Sequence, residues 1–197
     1  MSRLSPENVQ RARAVIARYP QTRSACIPLL HLAQEQDGSL EDDAMAHIAE
    51  LLDVTPAEVL GTASFYEMFK RHHVGRYLIG ICTNISCLIN GADELVAHAE
   101  RTLGVALGGT TEDGTFTLEA MECLAACGGA PCLQVNYRYA ERITPPAFDA
   151  LVESLRAGQV PDVIDGGAVP EHGTLSRVDL PHPQTDPARV KPEEVRR

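Results

Sequence analysis

The 197-residue sequence contains no run of eighteen apolar residues, and its N-terminus lacks the short apolar core of a secretory signal. A soluble protein inside the cell, without direct membrane insertion, is therefore expected. Positive charge is scarce as well: 17 lysines and arginines face 27 acids, for a net charge of −10. Neither a phosphate backbone nor an anionic lipid surface would attract such a chain on charge alone, which argues against nucleic-acid binding. No G-x-G-x-x-G strand–turn–helix unit occurs, so a dinucleotide is expected to bind elsewhere. Arg3, Arg11, Arg13 and Arg18 against the single acid Glu7 have the flavour of an organelle transit peptide. Ser5 and Pro6 nevertheless open an ordinary amphipathic helix, and that is the reading preferred.

Cysteine, by contrast, is present in close pairs. Cys82 and Cys87 close the stretch CTNISC, and Cys123 and Cys127 close CLAAC. The surrounding periodicity indicates where they lie. Residues 5 to about 74 carry helix signals: Ser5 before Pro6, Met45, Ile48, Leu51 and Leu52 at helical spacing, and the capping box of Thr55, Pro56 and Glu58. A four-helix N-terminal segment over 1–74 is expected.

From Gly75 the period changes. RYLIGIC is a compact apolar run, a buried strand ending at Cys82. Leu95, Val96, Ala99 and Leu103 form a helical stripe that stops at Gly104. TEDG at 111–114 is a turn, TFTLEAM alternates as a strand, and CLQVNYRYAERI reads as two short strands around a bend. Thr144 and Pro145 cap a last helix carrying Phe148, Leu151, Val152 and Leu155. This order describes a small α+β or α/β sandwich over 75–157, with each thiol pair in a loop at a strand end. Residues 158–197 hold six of the thirteen prolines and no apolar period, so an irregular tail is expected there.

Several chemistries use paired thiols. A structural disulfide is disfavoured in a reducing interior, and a dithiol redox site normally uses C-x-x-C, which neither pair has. A Rieske centre needs histidines, and neither loop contains one. Structural zinc prefers pairs spaced by two residues, while wider loops suit a two-iron, two-sulfide cluster; both remain open on spacing alone. A cluster would be negative and want donors, which Thr83, Asn84 and Ser86 supply as small polar groups. Gly128 and Gly129 would let backbone come close, or simply form a turn. Glu122 either faces the cluster or is solvated. Cys26 reads as a small buried apolar residue, and Cys132 as a packing residue at the start of a strand, although it is near enough to Cys127 to substitute as a ligand. The histidines, His72 and His73 among them, lack thiol or carboxylate partners at ligand spacing.

GRYLIGICTNISCLINGADEL, EDGTFTLEAMECLAACGGAPCLQVN, LLHLAQEQDG and TPAEVLGTASFYEMF together resemble the thioredoxin-like [2Fe-2S] ferredoxin family, in the branch that supplies the two-iron ferredoxin subunit of respiratory NADH:quinone oxidoreductase. The resemblance runs from about residue 5 to 157. It implies a thioredoxin-like domain preceded by helices, with Cys82, Cys87, Cys123 and Cys127 as ligands of one [2Fe-2S] cluster. It also implies electron transfer with FMN on an NADH-binding partner subunit in the peripheral arm of complex I, at the cytoplasmic face of a bacterial inner membrane. Homologous diaphorase subunits of NAD-linked hydrogenases or formate dehydrogenases look alike. A zinc-stabilised interaction module is the reading from another class.

Overall fold

The structure, a computed structural model, describes residues 3–159 and residue 164. The expected tail thus lies outside the described residues except for Gly158, Gln159 and Ile164. The described residues fall into two compact units, one ending at His73 and the other beginning at Val74. Among them no helix is long and apolar enough to cross a membrane.

The first unit holds four helices: α1 (Pro6–Ile16), α2 (Cys26–Asp37), α3 (Asp42–Leu52) and α4 (Pro56–Phe65). Their starts follow from the sequence. The Ser5 hydroxyl accepts from the Asn8 N–H at 3.2 Å, and Pro6 occupies the first turn, where its missing donor costs nothing. Thr55 and Glu58 form a reciprocal capping box, with the Glu58 carboxylate accepting from the Thr55 N–H at 2.9 Å. Leu29, Leu30, Leu32, Ile48 and Leu52 are fully buried between the helices. The segment after α4 is tied back to α2 by the buried Gln34 amide, which donates to the Met68 carbonyl (2.9 Å) and accepts from the Lys70 N–H (2.6 Å).

The second unit is built on a four-stranded sheet ordered β2-β1-β3-β4: β1 (Tyr77–Cys82), β2 (Phe116–Met121), β3 (Leu133–Val135) and β4 (Arg138–Ala140). Strand β1 pairs parallel with β2 and antiparallel with β3, so all six of its residues are buried. Its unbroken apolar run is what a central strand requires. Two helices, the short α5 (Ile85–Ile89) and α6 (Ala92–Leu103), make the crossover to β2, and α7 (Pro145–Arg156) closes the unit. The bend between β3 and β4 is a two-residue hairpin: Asn136 and Tyr137 have φ of 45° and 67°, the pattern of a type I′ turn. Asn136 also accepts from the Leu78 N–H (2.7 Å) and donates to the Arg76 carbonyl (2.9 Å), pinning the hairpin to the start of β1.

Strand β2 departs from the expected alternation, because Phe116, Thr117 and Leu118 are buried in succession. Thr117 tolerates this because its hydroxyl accepts the Gly75 N–H at 2.7 Å and pairs with the Thr110 hydroxyl at 2.7 Å. A Cβ at Gly75 would lie 2.8–3.0 Å from the Phe116 backbone, so only glycine fits there.

Helices α6 and α7 are joined by a polar contact that the sequence did not reveal. His98 Nε2 lies 2.7 Å from Asp149 Oδ1, and the Thr102 hydroxyl donates to the same oxygen at 3.1 Å. The His98 hydrogen bond holds the Asp149 carboxyl below its ordinary value. A carboxyl depressed in the folded state contributes stability above its unfolded value, near 4, and loses it as pH falls through the lower folded value. Asp149→Asn is expected to weaken the acid sensitivity of the denaturation midpoint below about pH 4. An unchanged pH profile would show that the contact is not formed in solution.

Candidate metal centre

Cys82 is the last residue of β1, where its N–H donates to the Cys132 carbonyl at 3.1 Å across the β1–β3 pair. Two residues on, the Asn84 side chain accepts from the Ile85 N–H (3.0 Å) and its carbonyl from the Leu88 N–H (2.9 Å). These bonds wind residues 85–89 into α5, so Cys87 sits in a short helix and not in the loop expected. On the other side, the chain leaves β2 after Met121. Cys123 is exposed, Ala125 takes a positive φ of 59°, and Cys127 opens a 3-10 turn reaching Gly129. The Tyr139 hydroxyl donates to the Leu124 carbonyl at 2.9 Å, fastening this second loop to β4.

All four expected cysteines line one cavity, and Cys132 joins them there. Cys87 and Cys132 have their sulfurs 3.6 Å apart, and the thiols of Cys82, Cys87 and Cys132 lie within 4.8 Å of one another. These three are buried, whereas Cys123 and Cys127 are exposed. Among the described residues, no histidine or carboxylate lines the cavity. Such a donor set is soft throughout and suits thiolate-bound iron or zinc, not a hard cation.

Backbone amides provide the stabilisation expected from side chains. Burial pushes the Cys82 thiol up, yet the N–H groups of Leu124 and Asn84 donate to its sulfur and bring it below its ordinary value. Burial, aided by the charge of Cys82, raises the Cys87 thiol although the Cys132 N–H donates to it. Hydrogen bonding with Cys123, and its charge, raise Cys127. The Cys87 and Cys127 thiols are thus raised in part by crowding with neighbouring sulfurs, while amide donors lower Cys82.

The structure corrects the expected roles of the neighbouring residues. The Thr83 hydroxyl donates to the Met121 carbonyl at 3.2 Å, holding β1 to β2 instead of facing the sulfurs. Asn84 spends its amide on Glu122 at 3.0 Å, and that carboxylate is exposed, outside the thiol cavity, the solvated of the two placements expected for it. Of the three small polar residues only Ser86 keeps its hydroxyl on the thiol side, 3.5 Å from the Cys127 carbonyl. Gly129 makes room for the Glu141 side chain, whose carboxylate a Cβ would overlap, while a Cβ at Gly128 would meet open space. Cys26 is half-buried, not buried, and lines a surface groove with Thr62 and Phe65 in the first unit. Cys132 is buried as expected, and its thiol lies beside Cys87, not beside the nearby Cys127 for which it could have substituted: the antiparallel pairing of β1 with β3 brings it there.

The family model described as thioredoxin-like [2Fe-2S] ferredoxin matches residues 12–156. The E subunit of NADH-quinone oxidoreductase from Mycobacterium tuberculosis is 43% identical over 146 residues, covering 74% of this chain and 58% of that relative. The chain thus spans little more than half the length of this mycobacterial protein. An NADH-quinone oxidoreductase E-type subunit from Rhizobium meliloti is 41% identical over 146 residues, covering 74% of this chain and 87% of the relative. Among solved structures, an NAD+-reducing [NiFe]-hydrogenase in the H2-reduced state aligns with a TM-score of 0.59 and 27% identity, over 68% of this chain and 23% of that chain.

Proposed function

Because the chain belongs to the thioredoxin-like [2Fe-2S] ferredoxin family, we propose that it is an electron-transfer subunit of the NADH dehydrogenase module of an NADH:quinone oxidoreductase. The observation that carries this reading is the convergence of Cys82, Cys87, Cys123 and Cys127 on one cavity without hard ligands. These four would hold a [2Fe-2S] cluster, which when bound takes up and releases one electron at a time. The chain's own contribution is positional. Strand β1 fixes Cys82, α5 fixes Cys87, and the Leu124, Asn84 and Cys132 amides offset thiolate charge and set the potential.

FMN and NADH belong to a partner subunit in this proposal, at the cytoplasmic face of the membrane. A surface beside the thiols supports such a partner: Ile85 is 74% and Ile89 78% exposed, with Leu88 also exposed, all on α5 next to Cys87. Three large apolar side chains on one five-residue helix are costly to leave in water, and covering them would bring a flavin close to the centre. The double substitution Ile85→Asp with Ile89→Asp is expected to leave iron content unchanged and weaken binding to the flavin-bearing subunit by about tenfold or more. Titration calorimetry with that subunit reads the change; equal affinity would place docking on another face.

Electron exchange itself is tested downhill. The chain is reduced with dithionite, freed of reductant and mixed with the oxidised FMN-bearing subunit. Flavin bleaching, with loss of the EPR signal at the same rate, is expected. A stable EPR signal beside an oxidised flavin would overturn the assignment. The hydrogenase alignment favours a second reading, a diaphorase subunit of an NAD-linked hydrogenase. The higher identity to the quinone-linked relatives supports the first.

A further inference from the structure

We propose that Cys132 is a reserve ligand, able to hold the metal centre in place of Cys87. This rests on the reading above that the thiols bind a [2Fe-2S] cluster. Two thiolates on one tetrahedral ion, each bound at about 2.3 Å, stand about 3.8 Å apart. Cys87 and Cys132 already hold their sulfurs at 3.6 Å, and Cys82 lies within 4.8 Å of both. The three thiols thus have the mutual spacing of ligands to a single iron. A residue that merely fills the core has no need of that spacing.

The fold also keeps Cys132 where it would be needed. Its carbonyl accepts the Cys82 N–H at 3.1 Å, and Leu133 immediately after it pairs with Ile81. Its sulfur is therefore positioned by the sheet and not by the loop that carries Cys123 and Cys127. Substitution asks for a small side-chain movement only: the Cys132 thiol gives its proton to solvent and its thiolate forms the iron–sulfur bond that the Cys87 thiolate would have made. No electron moves. The reserve does not extend to Cys123 or Cys127, which among the described residues are not part of the group within 4.8 Å, and the 3.6 Å sulfur contact makes Cys87 the position it serves.

The test uses the full chain, purified without oxygen and reconstituted with ferrous iron and sulfide, as wild type, Cys87→Ala, Cys132→Ala and the double variant. Iron and labile sulfide, the absorption spectrum and the EPR of the reduced state are read on each, with circular dichroism to establish folding. Cys132→Ala is expected to match wild type, and Cys87→Ala to keep its cluster with shifted EPR g-values. The double variant should lose roughly tenfold or more of the bound iron. A folded Cys87→Ala chain as poor in iron as the double variant would overturn the proposal. Should Cys87→Ala not fold, the near-isosteric Cys87→Ser decides: an all-sulfur spectrum supports Cys132, whereas an oxygen-ligated spectrum or loss of iron refutes it. A wild-type chain that takes up no iron would defeat the functional reading as well. A loaded wild type beside an iron-free Cys87→Ala would defeat the reserve ligand only.

Discussion

Replacing Cys123 by alanine is expected to strip the centre of its iron while the fold survives. Cys123 is exposed and sits between the end of β2 and the 3-10 turn, outside every buried cluster. Truncating it removes no core contact, so the metal-free variant should unfold within about 0.5 kcal/mol of the metal-free wild type. The metal site has no such tolerance. A thiolate is a first-order part of the donor set, and Cys132 cannot stand in, because it belongs with Cys82 and Cys87 at the β1–β3 side. Bound iron should fall by roughly tenfold or more, and the reduced-state EPR signal should disappear. The comparison must be made between metal-free forms, since a ligand that binds only the folded state raises apparent stability by itself. Full iron content in Cys123→Ala would remove this residue from the ligand set.

The second large effect lies far from any sulfur. Phe148→Ala is expected to cost about 3–5 kcal/mol, enough to bring the second unit close to unfolding. Phe148 is fully buried on α7 and belongs to the cluster of Tyr77, Ile79, Phe116, Leu118 and Leu133, which covers the sheet. It also meets the His98 ring edge-on, with centroids 6.2 Å apart, beside the bond from His98 to Asp149. Truncation would leave a cavity between α7 and the strands and loosen the packing that aligns α6 with α7. The consequence for the centre is indirect but large, since β1 and the residue preceding β3 carry Cys82 and Cys132. Chemical denaturation of the metal-free chain reads the loss. A destabilisation under about 1 kcal/mol would mean that the core closes over the gap.

Local signals carried much of this architecture. The pairs Ser5–Pro6, Thr55–Pro56 and Thr144–Pro145 mark three helix starts because a side-chain oxygen and a proline act within one turn. The apolar run of β1 reads as a buried strand because no polar residue interrupts it. Helix α5 was not legible: five residues give no period, and its start depends on the single Asn84 cap. The direction of Thr83 depends on which neighbour arrives from β2, so spacing alone misplaced it, and the same dependence left Glu122 with two readings until its exposed place beside Asn84 decided between them. Non-local pairing hid the rest. Cys132 lies 45 positions from Cys87 and His98 lies 51 from Asp149, and no short-range pattern connects residues that only strand pairing or helix packing brings together.

The most direct test of the central claim is the iron and acid-labile sulfide content of anaerobically purified protein, with EPR before and after dithionite. Two irons and two sulfides per chain, with a rhombic signal that appears only on reduction, are the predicted result. One zinc per chain, no labile sulfide and no reducible signal would contradict it and leave the five thiols as a structural clasp.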